Sequence, residues 1–416
     1  MHVMVMGGGI IGLSSAFYLQ EAGCQVTVID QNDFSDNCSY GNAGYVCPSH
    51  FVPLATPGIV KQGLKWMWNS RSPFYVQPRL DRHLMDWGLT FMRSATPDHV
   101  ERSAIPLRDI ALLSKKMYES WLALPSFDFA YEQKGLLEIF QTPKGEEKAR
   151  SMYEKALELG LSDTQWLDAA ALQAMEPHAR LNAMGAVYFN CDAHLYPPKL
   201  MRGLYQILLA MGVRFIPKEG VSGFETQGKK IAAVLTAQHK YPVDAVVLAT
   251  GSWSRELAAK LALRLPLMPG RGYSVTLENS AYKIEHPAVL VEGRAALTPM
   301  DGNKIRFGGT MEITSTQTPP RRNRVEGLLQ AVKRFYPDFE VAVPPMEEVW
   351  YGFRPCSADG LPYLGKTKKW ENLVVATGHS MIGLSLGAGS GLLVKEMVLD
   401  QATSMDVRPF SPERFA

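Results

Sequence analysis

Hydrophobic positions in the first thirty residues change period twice. Val3-Met4-Val5-Met6 is an unbroken apolar run of strand length, and Leu13 to Ala22 follows as a helical stretch closed by Gly23. Val26-Thr27-Val28-Ile29 is a second strand, ending at Asp30. Between the first strand and the helix lies Gly7-Gly8-Gly9-Ile10-Ile11-Gly12, which reads G-x-G-x-x-G. In that setting Gly7 permits the tight turn, Gly9 lets backbone approach a pyrophosphate, and Gly12 lets helix and strand pack closely. The helix N-terminus then faces phosphate charge, and Asp30 stands where an acid accepts hydrogen bonds from ribose hydroxyls. The pattern predicts a dinucleotide-binding βαβ unit.

Two more buried-strand patterns run into glycine far downstream, Val243 to Ala249-Thr250-Gly251 and Leu373 to Thr377-Gly378. Helical spacing is predicted from Thr96-Pro97 to Leu124, from Lys144 to Leu159 before Gly160, and from Pro197-Pro198 to Met211 before Gly212. Residues 257–345 read as antiparallel strands with polar turns such as Asp301-Gly302-Asn303. The fold class is therefore α/β. A Rossmann-like nucleotide-binding domain is expected from the discontinuous segments 1–55, 191–256 and 346–416. An α+β substrate-binding domain, with a mixed or antiparallel sheet and helices, is expected from 56–190 and 257–345.

Composition narrows the class only slightly. The 416 residues are 46% apolar, enough for large cores. A net charge of +2 without basic clustering argues against nucleic acid as the main partner. The sequence holds no eighteen-residue apolar run, so no transmembrane segment is expected. The first strand begins at His2-Val3 and leaves no room for a signal peptide, which predicts a cytoplasmic protein. Five scattered cysteines, Cys24, Cys38, Cys47, Cys191 and Cys356, predict neither disulfides nor a bound metal.

Several segments in order resemble the FAD-dependent amino-acid oxidoreductases, and most nearly their bacterial D-amino-acid dehydrogenase branch. They are Gly7 to Asp30, Ser39-Tyr40-Gly41-Asn42-Ala43-Gly44, Gly272-Tyr273-Ser274, Trp350 to Pro355 with Asp359-Gly360-Leu361-Pro362, and Thr377-Gly378-His379-Ser380-Met381-Ile382-Gly383. The resemblance implies FAD, oxidative deamination of D-amino acids to 2-oxo acids and ammonia by hydride transfer from the α-carbon to flavin N5, and a quinone or other electron acceptor. Glycine, sarcosine, proline or hydroxyproline oxidation stays open as an alternative, as does a flavin-binding scaffold without turnover. The cofactor contacts expected are Gly7, Gly9, Ile10, Ile11, Gly12, Asp30, Gln31, Ser39, Asn42, Ala43, Gly44, Val221, Thr250, Gly251, Trp253, Gly378, His379, Ser380, Met381, Ile382 and Gly383.

Oxidising an amino acid also requires a cation for its carboxylate, and arginine provides two parallel hydrogen bonds. Arg354, after the aromatic run Trp350 to Phe353, is the expected clamp; capping a strand end or pairing with Asp359 is the bland alternative. Tyr273 is expected to bond substrate carboxylate or amine, or else to be a buried tyrosine with a satisfied hydroxyl. His379 is expected over the flavin, or else to be a loop histidine bonded to backbone. Arg271 is read as facing solvent. A helix from Leu384 to Leu399 would aim its positive end at the flavin C2 oxygen. The glycines at 383, 387, 389 and 391 allow close backbone packing there, or packing on the sheet. Relatives that tether the flavin through cysteine place it at the position of Gly352, so attachment is expected to be non-covalent. Ser357-Ala358-Asp359 replaces the relatives' usual Thr-Pro-Asp, and Ser380 replaces a glycine that several carry after the histidine. Val60 to Trp68, with Arg71, Arg79 and Arg82, mixes aromatic and basic residues. It reads either as a packed helix with a solvated edge or as a peripheral patch on the inner face of the cell membrane that would suit transfer to a quinone.

Overall fold

The computed structural model describes residues 1–59 and 71–416. Its first βαβ unit is His2–Met6, helix Ile10–Glu21 and Gln25–Ile29, with Val3 to Met6 paired in parallel to Val26 to Ile29. Gly7 takes φ +107°, where a Cβ would lie 2.4 Å from the Ala249 carbonyl oxygen; a Cβ on Gly12 would lie 1.9 Å from the Gly7 carbonyl oxygen. Both glycines are therefore fixed by backbone approach, as the turn predicts.

A six-stranded sheet grows from this unit in the order Tyr363–Lys366, Leu373–Thr377, Ala245–Leu248, His2–Met6, Gln25–Ile29, Arg214–Ile216. Only the first pair is antiparallel. The strands come from four separate stretches of chain, which is the discontinuity that the repeated strand-to-glycine pattern requires. One face packs on the helices Ile10–Glu21, Pro97–Trp121, Pro197–Ala210 and Gly387–Val398. The other packs on Ser254–Lys260 and a three-stranded sheet spanning Val221–Gln227, Lys230–Thr236 and Lys240–Pro242.

The second large sheet runs Trp350–Ser357, Leu267–Leu277, Lys304–Ile313, Ala295–Met300, Ala288–Leu290, Leu136–Phe140, Gly185–Phe189, Thr164–Asp168, with Phe74–Val76 joined to Lys304–Ile313. It is mixed, because Ala288–Leu290 runs parallel to Leu136–Phe140 and Phe74–Val76 parallel to its neighbour. Gly302, at φ +72°, makes the expected hairpin turn between Met300 and Lys304. Helix Arg322–Phe335 covers one face with Val325, Leu328, Val332 and Phe335.

Two segments depart from the expected division. Strand Trp350–Ser357 hydrogen-bonds along Leu267–Leu277, so it belongs to the second sheet rather than with the nucleotide-binding segments. Helix Pro97–Trp121 packs Trp121 against Phe17 and Tyr18, with Tyr118 edge-on to Trp121, on the helical side of the first sheet rather than in the substrate-side unit. Helix starts follow their signals: Thr96 accepts from the His99 amide at 3.2 Å and Thr142 from the Gly145 amide at 3.1 Å, each before a proline.

The glycine-rich helix begins at Gly387, four residues past Gly383, after a short 3₁₀ turn over Ser380–Ile382. Its glycines meet neighbouring helices, not the sheet: Cβ atoms built on Gly389 and Gly391 would lie 2.9 Å from the Ser114 backbone and 2.5 Å from the Ser14 carbonyl carbon. Gly391→Ala must push two helices apart and is expected to cost about 1–3 kcal/mol. A lowered thermal midpoint for the holoprotein would show it; an unchanged midpoint would mean the helices are not in that contact.

Candidate active site

A cavity of about 900 Å³ lies between the two sheets and takes its walls from both. On the first-sheet side it is lined by Gly7, Gly9, Ile10, Ile11, Asp30, Gln31, Ser39, Asn42, Ala43, Val221, Thr250, Gly251, Trp253 and His379 through Gly383. Three expected contacts stand behind this wall instead. Gly12 packs on Gly7, Gly44 at φ +82° lets Leu195 approach, and Gly378 at φ +77° makes room for Tyr363.

Side chains brace the glycine turn. Asp30 accepts from the Gly8 amide at 2.7 Å and from the Asn32 amide at 2.8 Å, and it still borders the cavity. Ser39 Oγ accepts from the Ile10 amide at 3.1 Å, and Asn37 Nδ2 donates to the Gly8 carbonyl at 3.0 Å. Beside Gly9 a Cβ would meet nothing nearer than Ser39 Oγ at 3.6 Å, so this backbone faces open space. A glycine turn open to the cavity, with its carboxylate at the end of the second strand, fits the pyrophosphate and ribose of a dinucleotide.

Sequence reasoning missed the groups that hold the Tyr40–Gly44 loop. Buried Arg306 donates through Nη1 to the Tyr40 carbonyl at 2.9 Å and the Asn42 carbonyl at 2.7 Å. Trp350 lies where a Cβ on Gly41 would come within 2.0 Å and one on Gly352 within 2.3 Å. The contacts with the loop join residues more than 250 positions apart, and no local period announces them. Gly352 thus fits under an indole, while Cys356 is fully buried against Met311 Sδ at 3.8 Å, and burial pushes its thiol up to about 11.

Arg354 sits in mid-strand, opposite Gly270, and borders the cavity. Its guanidinium lies over Gly272, where a Cβ would come within 2.2 Å of Cζ, and Nη1 donates to the Thr310 carbonyl. Asp359 is taken by Arg414 at 2.7 and 2.8 Å, which removes the suggested Arg354–Asp359 pair. Among the described residues no carboxylate pairs with Arg354, and burial lowers its pKa. A half-buried guanidinium that borders a cavity and has no carboxylate partner among the described residues can take an anion.

Tyr273 borders the cavity, but its hydroxyl is committed elsewhere: it donates to Glu312 Oε2 at 2.7 Å and accepts from the Arg321 amide at 2.9 Å. Burial first, and Glu312 after it, push the phenol up to about 12. The bland alternative describes it. Arg271 does not face solvent: it is fully buried, donates to the Pro319 carbonyl at 2.7 Å, and lies under the rings of Tyr351 and Phe353 at 5.4 and 5.2 Å. Glu312 also accepts from Arg324 Nε at 3.1 Å, so one buried carboxylate serves several arginines.

His379 is buried at the cavity wall and bonds Ser390 Oγ through Nε2 at 3.0 Å, a side chain rather than the expected backbone partner. Its Nδ1 is buried with no partner among the described residues. Burial pushes its pKa down to about 3, so the imidazole is neutral at physiological pH. Because the native state binds fewer protons than the unfolded state between pH 6.5 and 3, this group makes stability fall as pH drops through that window. Glu138 and Asp192, raised to about 7 and 6 by burial, act in the opposite sense. The difference between wild type and His379→Gln isolates the histidine. The denaturation midpoint of the variant should decline less from pH 7 to 4; parallel curves would mean that His379 is not held neutral.

The expectation of no metal rested on spacing, yet the fold brings Cys47, His50 and Asp192 within 4.8 Å of one another. Asp192 already accepts from Ser49, at 3.1 Å from the amide and 2.5 Å from the hydroxyl.

Site and fold together define a dinucleotide-binding protein whose cavity places an arginine opposite the glycine turn's wall. Residues 2–397 match the family described as FAD dependent oxidoreductase, and the chain belongs to that family. Similar proteins include the D-amino acid dehydrogenases of Granulibacter bethesdensis, 30% identical across 100% of both chains, and Helicobacter pylori, 29% identical across 99% of this chain and 98% of that one. Glycine oxidase from Geobacillus kaustophilus superposes with a TM-score of 0.77 at 24% identity, covering 99% and 98% of the two chains. L-proline dehydrogenase from P. horikoshii superposes at 0.75 with 16% identity over 100% and 97%. At those identities the solved structures show the fold alone. The protein is an FAD-dependent amino-acid oxidoreductase.

Proposed function

We propose that the protein oxidises D-amino acids to 2-oxo acids and ammonia, the imino acid first formed being hydrolysed by water. The reading rests on Arg354, a half-buried guanidinium at the cavity with no carboxylate partner among the described residues, together with full-length relatives named D-amino acid dehydrogenase. When bound, the flavin supplies the two-electron acceptor for the α-carbon hydride. Arg354 binds the carboxylate and fixes which face of the α-carbon is presented. Neutral His379 backs the cofactor wall without adding charge. The Tyr40–Gly44 loop, held by Arg306, and the 3₁₀ turn at Ser380–Ile382 carry the cofactor contacts. Gly7, Gly9 and Asp30 hold the far end of the dinucleotide.

The electron acceptor is proposed to be a quinone reached at a membrane surface. The basic-aromatic stretch at 60–68 lies outside the described residues. Of its flanking cations, Arg71 pairs with Glu326 at 3.2 Å and Arg79 with Asp81 at 3.1 Å. What supports contact is the next helix, Arg82–Ser94, which exposes Met85, Leu89 and Met92 on one side, with Leu80 just before it. Among the described residues no helix is long and apolar enough to cross a membrane.

Anaerobic mixing with D- and L-amino acids, glycine, sarcosine and both prolines, followed at the oxidised-flavin band near about 450 nm, tests the reaction. Bleaching by D-amino acids alone is the expected result. Bleaching only by secondary amines or L-enantiomers would overturn the substrate assignment.

A further inference from the structure

Away from the cofactor wall, the same cavity ends in a mixed polar cluster that the proposed reaction does not use. Glu138 projects from strand Leu136–Phe140, Arg294 precedes strand Ala295–Met300, Lys148 stands at the rim on helix Pro143–Glu158, and the His50 ring stacks on Tyr45 at 6.3 Å. Asp192 lies behind, near enough to raise the Glu138 carboxyl, while Arg294 opposes it. The Glu138 carboxyl has no hydrogen-bond partner among the described residues, although it borders a cavity whose nearby walls are Val289, Val291, Ala296 and Met152. Leaving such a group unmatched costs about 1–3 kcal/mol, which a ligand donor would recover.

We infer that this end is a side-chain pocket selecting amino acids that carry an uncharged hydrogen-bonding group, a carboxamide or hydroxyl, three or four atoms beyond the α-carbon. The inference rests on Arg354 clasping the carboxylate. Charge sets the class. An anionic side chain would meet Glu138 and Asp192, and a cationic one would meet Arg294 and Lys148, whereas a neutral donor and acceptor can bond Glu138 and His50 without an unpaired charge.

Length follows from the sheet. The Arg354 guanidinium bonds the Thr310 carbonyl on strand Lys304–Ile313, and Glu138 is three strands away through Ala295–Met300 and Ala288–Leu290. Three strand spacings are roughly 14 Å, and the register sets Glu138 two residues along from Thr310, roughly 7 Å, for a span of roughly 16 Å. A carboxylate, α-carbon and side chain of glutamine length, with a hydrogen bond at each end, span roughly 12 Å, and the Glu138 side chain covers the remainder. Alanine or glycine leaves the far cluster unmet.

Glutamine and methionine, nearly equal in length, separate hydrogen bonding from size. With the holoenzyme and the configuration it oxidises, kcat/KM for glutamine should exceed that for methionine at least about tenfold, the worth of one satisfied buried group. Glu138→Leu should bring the ratio to one or below, and Glu138→Gln should keep it within a few-fold of wild type. Equal or reversed preference in the wild type overturns the pocket, as does a ratio unmoved by Glu138→Leu, and both leave amino-acid oxidation standing. Failure of every amino acid to bleach the flavin overturns the proposed function and the pocket together.

Discussion

Arg354→Met is expected to lower kcat/KM for amino acids by at least about a hundredfold, close to 3 kcal/mol, while the flavin stays bound. Methionine keeps the unbranched stem but removes both the charge and the paired donors that a carboxylate needs. Among the described residues the guanidinium has no other ionic duty: Asp359 belongs to Arg414, and the Thr310 carbonyl is its hydrogen-bond partner. The loss should fall mainly on KM, with Arg354→Lys intermediate because an ammonium pairs with only one oxygen well. Gly272→Ala should resemble it, since a Cβ there would meet Cζ at 2.2 Å and force the guanidinium aside. The decisive measurement is anaerobic flavin reduction against amino-acid concentration. An unchanged half-saturation value in Arg354→Met would show that the carboxylate is bound elsewhere.

That Arg354 could be singled out from sequence, while its setting could not, follows from what each depends on. The glycine turn is legible because its constraint is local: Gly7 and Gly12 answer to backbone a few residues away or on the adjoining strand. Asp30 is likewise legible by position, although its two amide partners, Gly8 and Asn32, are seen only in the fold. Arg306 and Trp350 were illegible because each acts on the Tyr40–Gly44 loop from the opposite end of the chain. The helix start was misplaced by three residues because apolar spacing runs unbroken through Leu384 and Leu386. The chain there turns first through Ser380, at φ +50°, and begins regular helix only where Gly387 meets Ile10 and Tyr118. Tyr273 depended on register. Its side chain borders the cavity, but the hydroxyl reaches Glu312, the cross-strand partner of Arg271, a pairing that only the fold reveals.

Glu312→Leu is expected to be the most destabilising change in the second sheet, costing about 3–5 kcal/mol, because it strands Arg271 and Arg324 in a dry environment. Arg324 also donates to the Ser72 carbonyl at 2.8 Å, so the loss should loosen the 71–76 segment along with the sheet edge. Adding Arg324→Met should return part of the lost stability, since removing both charges costs less than leaving one unpaired. Tyr273→Phe probes the same network gently. It removes one hydroxyl held by Glu312 and the Arg321 amide, for about 1–2 kcal/mol. Its kcat/KM should stay within about threefold of wild type, because a hydroxyl already bonded to protein lends nothing to the transition state. Denaturant midpoints and steady-state rates on the same preparations separate the two outcomes. A hundredfold loss of kcat/KM in Tyr273→Phe, with its midpoint unmoved, would mean that the phenol leaves Glu312 to meet substrate and that the network is a resting arrangement.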